Sequence, residues 1–114
     1  MPRVAVLCWE ECRPWVSALR QNGFSVPWVE EPKGDVHKQI PGVAPDAVVV
    51  DLTRRAEQGR EMVIDLARQA ELKGVPIIVV SDNKSAGRGL KTKVANLIMA
   101  SPTQIVSAVQ SALG

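Results

Sequence analysis

Short apolar runs alternate along the chain with longer amphipathic stretches, and the spacing within each predicts an element. Val4 to Cys8 is apolar with β-branched members, the pattern of a strand buried on both faces. Pro14 suits the first turn of a helix, Trp15, Val16 and Leu19 fall on one stripe, and Asn22-Gly23 supplies a left-handed stop. Phe24 to Val29 predicts a second strand, short and at a sheet edge because Pro27 has no ladder donor. From Glu30 to Pro45 the pattern is weak: Val36, Ile40 and Val43 share a helical face, but Pro41-Gly42 cuts the segment to about one turn. Ala47 to Val50, closed abruptly by Asp51, predicts a central strand.

Met62, Val63, Leu66, Ala67 and Ala70 repeat at helical intervals, with Lys73-Gly74 as the expected end of that helix. Ile77 to Val80 predicts a fourth buried strand closing at Ser81, and 82–93 is polar, basic and glycine-bearing, a loop or poor helix. Ala95 to Ala100 predicts a fifth strand. Ser101-Pro102 then reads as cap and first-turn proline of a last helix with Ile105, Val106, Val109 and Leu113 inward. Strands alternating with helices over connections too long for hairpins imply parallel strands joined by right-handed crossovers. The expectation is an α/β fold with a doubly wound, five-stranded parallel sheet. With 114 residues, no repeat and no composition break, residues 1–114 are expected to form one domain.

Composition narrows this further. One Phe, no Tyr and three Trp leave the core to Val, Ile, Leu and Ala. The apolar runs fall far short of the roughly 20 residues that span a bilayer, and nothing resembles a signal peptide, so a soluble, cytoplasmic protein without a membrane partner is expected. Fourteen Lys plus Arg against twelve Asp plus Glu is too even a balance to argue for direct nucleic-acid binding. Cys8 and Cys12, with a single His elsewhere, are too few for a structural zinc site and too close for a fold-spanning disulfide, so reduced thiols are expected.

Open parallel sheets gather their chemistry outside the carboxyl ends of the strands. Those ends carry Cys8, Trp9, Glu10 and Glu11, then Asp51, Ser81 and Ser101. The segment PDAVVVDLTRRAEQG, followed by the helix and VPIIVVSDN, resembles the receiver domain of two-component response regulators. That family has a flavodoxin-like module that accepts a phosphoryl group on an aspartate. The likeness covers nearly the whole chain and implies strand order 2-1-3-4-5, with Asp51 at the phosphoacceptor position, Gly59 at the turn glycine and Ser81 at the responsive switch hydroxyl.

Three departures accompany the likeness. The register of the family's acidic pair gives Cys8-Trp9, leaving Glu10 and Glu11 one or two positions late as metal ligands beside Asp51. The lysine before a proline after the fifth strand is replaced by Ser101, and a proline of the active-site loop by Arg55. The resemblance therefore implies a pseudo-receiver, not an enzyme and without cofactor, acting by protein–protein interaction with another signalling protein or domain or with a second copy of itself. The alternative is a working phosphoacceptor using Asp51, with Mg2+ on Glu10, Glu11 and Asp51. Arg88, Lys91 and Lys93, around Gly87 and Gly89, form a basic patch that is either a solvated loop or a partner-facing surface. A remote alternative comes from Cys8-Trp9-Glu10-Glu11-Cys12-Arg13-Pro14, which is similar to the loop of low-molecular-weight tyrosine phosphatases though one residue short. It would make Cys8 the thiolate of a thiol-dependent phosphatase, with Trp9, Glu10 and Glu11 crowding its oxyanion nest.

Overall fold

The computed structural model describes residues 2–8, 13–30, 40, 42–53, 56–69, 72–81, 89–90, 94 and 97–113. Five strands are present: β1 (Arg3–Leu7), β2 (Ser25–Glu30), β3 (Ala47–Asp51), β4 (Ile77–Val80) and β5 (Leu97–Ala100). Among the described residues three long helices accompany them, α1 (Arg13–Gln21), α2 (Ala56–Ala67) and α3 (Ile105–Leu113), and Ile40, Gly42, Val43 and Leu90 are also helical. Every strand pair is parallel and the order is β2-β1-β3-β4-β5, as expected for a flavodoxin-like sheet. The order reverses between β1 and β3, so the crevice at the carboxyl ends of these two strands is the topological switch point.

Alternation along the strands divides the core in two. Val4, Val6, Ala47, Val49, Ile78 and Val80 meet Trp15, Val16 and Leu19 of α1 and Ile105 and Val109 of α3. Ala5, Leu7, Val48, Val50, Ile77 and Val79 meet Met62, Val63 and Leu66 of α2, with Ile40, Leu72, Leu90 and Val94. All five residues of β3 are buried, which accounts for its continuous apolar sequence. Both described aromatic core residues, Trp15 and Phe24, lie on the α1/α3 side, leaving the other side aliphatic.

Helix α1 ends where Asn22-Gly23 requires. Gly23 has φ +89°, its N–H donates to the Arg20 carbonyl at 3.2 Å, and the Phe24 N–H donates to the Leu19 carbonyl at 3.2 Å. Those two bonds make a Schellman cap, closed by the buried Leu19 and Phe24 side chains. Three elements differ from the sequence expectation. Strand β2 is at the edge but has six residues and is the longest of the five; its pairing slips by one residue between Arg3 and Ala5, around Pro27, so the proline is absorbed by an irregularity and does not end the strand. Helix α2 starts six residues before Met62 and stops at Ala67, well short of Lys73-Gly74. Its last turn tightens through Arg68 N–H to Asp65 O and Gln69 N–H to Leu66 O, after which further tight turns bring Leu72 into the core. Strand β5 is described from Leu97, Ala95 lying outside the described residues, and α3 begins at Ile105, three residues after Pro102.

Candidate functional site

Asp51 is the last residue of β3 and pairs in register with Val80. The ladder continues past it through Leu52 N–H to Val80 O at 2.8 Å and Ser81 N–H to Ala100 O at 3.0 Å. These bonds hold Asp51, Ser81 and Ser101 at one edge of the sheet. Asp51 is 2% exposed and Ser81 9%, the two buried polar residues among those described. Burying a carboxylate is unfavourable unless its oxygens find donors, and here the donors are local. Asp51 Oδ1 accepts from the Thr53 N–H at 2.8 Å and from the Thr53 hydroxyl at 2.6 Å. The Asp-x-Thr spacing is the signal that could have disclosed this turn, since an aspartate commonly accepts from the backbone two residues on.

Cys8 follows Leu7, the last residue of β1, and Leu7 pairs with Val50, the residue before Asp51. Cys8 is 5% exposed and packs in the same cluster as Val6, Val49 and Val80, the strand neighbours that alternate onto that face. The expectation of reduced thiols is corrected here: Cys8 is disulfide-bonded, and the chain's one other cysteine is Cys12. Spacing argues against a fold-spanning bond and leaves a local one open. In this state Cys8 offers no thiolate, which removes the nucleophile that a thiol-dependent phosphatase needs.

Ser101 stands one residue beyond β5. Its hydroxyl lies 3.1 Å from the Thr103 hydroxyl and its carbonyl accepts from the Gln104 N–H at 2.9 Å. It opens a turn ahead of α3 and is not the residue adjoining the helix, as the expected cap would be. Gly59, expected in a turn, is buried inside α2 because the helix starts at Ala56. A side chain there would overlap Leu52 Cδ2 and stand 3.2 Å from the Asp51 carbonyl, so the glycine lets α2 pack against the end of β3. Glu10, Glu11, Arg88, Lys91 and Lys93 lie outside the described residues.

Receiver folds imply a magnesium ion at this edge. A hard cation takes oxygen ligands, chiefly carboxylates. Among the described residues no cluster of three His, Cys, Asp or Glu side chains could hold a metal, and the candidate ligands Glu10 and Glu11 lie outside them. Nor, among the described residues, is any helix long and apolar enough to cross a membrane.

No family model and no curated protein matches the chain. Solved structures do. A chain described as a response regulator, from Chloroflexus aurantiacus J-10-fl, superposes with a TM-score of 0.76 at 17% identity, over 99% of this chain and 98% of that one. The signal receiver domain of a modulated diguanylate cyclase from Desulfovibrio desulfuricans G20 gives 0.73 at 17% identity, over 99% and 94%. A two-component response regulator of the LuxR family from Aurantimonas sp. SI85-9A1 gives 0.71 at 17%, over 97% and 84%. At such identity the likeness is one of fold: the chain has the receiver-domain fold.

Proposed function

We propose that this chain is a receiver-like signalling domain that works by presenting a surface to another signalling protein or domain, without phosphorylation of Asp51 and without a metal cofactor. The observation that carries the proposal is the carboxyl edge of the sheet, where β1 runs on into the buried, disulfide-bonded Cys8 and β5 into Ser101. Forming an acyl phosphate spreads negative charge over the transferring oxygens and needs cations in place. At this edge the lysine position is Ser101, engaged with Thr103, and the carboxylate that would help hold a cation is replaced by sulfur. Asp51 itself is occupied at Oδ1 by both Thr53 donors. The partner is another protein rather than nucleic acid or membrane, a second copy of the chain included, and the setting is cytoplasmic. The domain is not an enzyme in this proposal.

A working phosphoacceptor is the rival, favoured by the shared burial of Asp51 and Ser81 at one edge. Incubation with acetyl phosphate and Mg2+ separates the two. The proposal expects an unchanged intact mass, and expects Asp51→Ala to fold and to bind the partner as before. A gain of one phosphoryl group that disappears in Asp51→Ala overturns it.

A further inference from the structure

We propose that Asn22 is a site of spontaneous deamidation, held closed by the cap of α1 and released when that cap opens. Asn22, Asn83 and Asn96 are the asparagines of the chain, and Asn22 alone is followed by glycine. A glycine nitrogen has no side chain beside it to hinder attack on the preceding amide. Asn22 and Gly23 are both exposed, and a Cβ at Gly23 would meet nothing within 4 Å, so water reaches this corner. The reacting groups are nevertheless engaged. The Asn22 side-chain amide donates from Nδ2 to the Ala18 carbonyl at 2.7 Å, and the Gly23 N–H donates to the Arg20 carbonyl at 3.2 Å. Beyond them the Phe24 N–H donates to the Leu19 carbonyl at 3.2 Å, and the Leu19 and Phe24 side chains are buried in one cluster. Cyclisation has to break both the Nδ2 and the Gly23 bonds, so it waits on local opening of the helix end.

In the opened state the Gly23 nitrogen loses its proton and attacks Asn22 Cγ. The new C–N bond closes a succinimide, and the bond from Cγ to Nδ2 breaks as ammonia leaves with the proton. Water then adds to either ring carbonyl and opens the ring, giving aspartate or, with the main chain rerouted through Cγ, isoaspartate. No oxidant or reductant takes part. Each product weakens the cap that protected the asparagine. An aspartate sets a carboxylate oxygen where Nδ2 donated to the Ala18 carbonyl, and it adds negative charge at the helix end where the dipole is already negative. Arg20, the basic residue of that last turn, donates instead to the Val26 carbonyl at 3.3 Å. An isoaspartate lengthens the backbone by a methylene between the α1 carbonyls and the Gly23 and Phe24 donors, so the Schellman pair loses its register. The start of β2 follows directly, where the Ser25 N–H donates to the Pro2 carbonyl at 2.9 Å. This corner lies at the amino end of β2, the opposite end of the parallel sheet from Asp51, and the inference does not rest on the proposed function.

The test incubates the full chain at neutral pH in buffer and in concentrated urea. Each asparagine is followed by peptide mapping with mass spectrometry, and isoaspartate is scored by enzymatic methylation of its carboxylate. In urea Asn22 should convert faster than Asn83 and Asn96, to a mixture of aspartate and isoaspartate. In buffer Asn22 should convert at least about tenfold more slowly than in urea, the factor that ~1.4 kcal/mol of opening free energy imposes. Phe24→Leu loosens the buried contact and leaves Asn22-Gly23 intact. With its fold verified by circular dichroism, it should speed conversion several-fold in buffer and leave the rate in urea unchanged. Asn22→Asp and Asn22→Ala both lose the Nδ2 bond, and Asn22→Asp should have the lower urea midpoint because it adds the charge. Equal conversion of Asn22 in buffer and in urea overturns the inference, since the cap would then give no protection. So does conversion in urea no faster at Asn22 than at the other asparagines, a parental rate in folded Phe24→Leu, or an Asn22→Asp midpoint at or above that of Asn22→Ala.

Discussion

Strand β3 is bracketed by two aspartates with opposite surroundings. At the amino end Asp46 is exposed and ties strands together: its Oδ2 accepts the Arg3 N–H at 2.7 Å and its own N–H donates to the Arg3 carbonyl at 2.8 Å. The Arg3 guanidinium adds a bond to the Val43 carbonyl at 3.0 Å. At the carboxyl end Asp51 is buried, and its described bonds reach only two residues along the chain. The first aspartate closes a contact 43 residues apart in sequence at little desolvation cost. The second is sequestered from water, and its described hydrogen bonds stay within its own turn. An exposed acid that ties segments together and a buried acid held by its own turn thus sit five positions apart, one just before β3 and one at its end.

The packing beneath the carboxyl end gives the largest expected effect. Gly59→Ala should gain about 1 kcal/mol of helix propensity, yet its Cβ overlaps Leu52, which is 2% exposed and has little room to move. Overpacking of this kind costs about 1–3 kcal/mol, so the variant should unfold earlier in urea than the parent. Combining it with Leu52→Ala opens the space, and the two changes should then be less than additive. Additive losses would mean that α2 does not bear on the end of β3.

A smaller effect tests the aspartates directly. Asp46→Ala removes the acceptor of the Arg3 N–H and should lower stability by about 1 kcal/mol, on the order of 4 °C in Tm. Asp51→Ala removes a buried carboxylate, while Thr53 is exposed and its donors can turn to water. That variant should melt at or above the parent temperature. A loss at Asp51 equal to that at Asp46 would erase the distinction between the two ends.

Much of this contrast was readable in the residues. An apolar run closing on Asp51 can only be a buried strand with a carboxylate at its tip, and Asn22-Gly23 after the Trp15-Val16-Leu19 stripe can hardly end otherwise than in a left-handed cap. What escaped depended on packing or on pairing between side chains. The resemblance put Gly59 at a turn, but here it lies inside α2, where close approach to Leu52 outweighs glycine's helix-propensity cost of about 1 kcal/mol. Lys73-Gly74 looked like the end of α2, yet the tight turns after Ala67 satisfy the helix carbonyls earlier. Cysteine spacing says where a bond can form and not whether it does, so Cys8 was misjudged. The metal candidates Glu10 and Glu11 and the basic residues Arg88, Lys91 and Lys93 lie outside the described residues, and the comparison of the two ends does not draw on them.

The smallest expected effect isolates Thr53. Its hydroxyl donates to Asp51 Oδ1 at 2.6 Å and its N–H to the same oxygen at 2.8 Å. Thr53→Val keeps the backbone donor and the side-chain shape while deleting the O–H, so Asp51 loses one of its two described donors. A hydrogen bond to a charged group is worth about 1.5–3 kcal/mol when buried; with Thr53 exposed, a loss of about 0.5–1 kcal/mol is expected, and Thr53→Ser should restore it. The decisive arrangement is a double-mutant cycle. In the Asp51→Ala background the hydroxyl has no carboxylate to serve, and Thr53→Val should then be neutral in chemical denaturation. A loss of the same size in both backgrounds would show that Thr53 acts on the fold directly, and Asp51 would have to be held by other groups at the carboxyl edge.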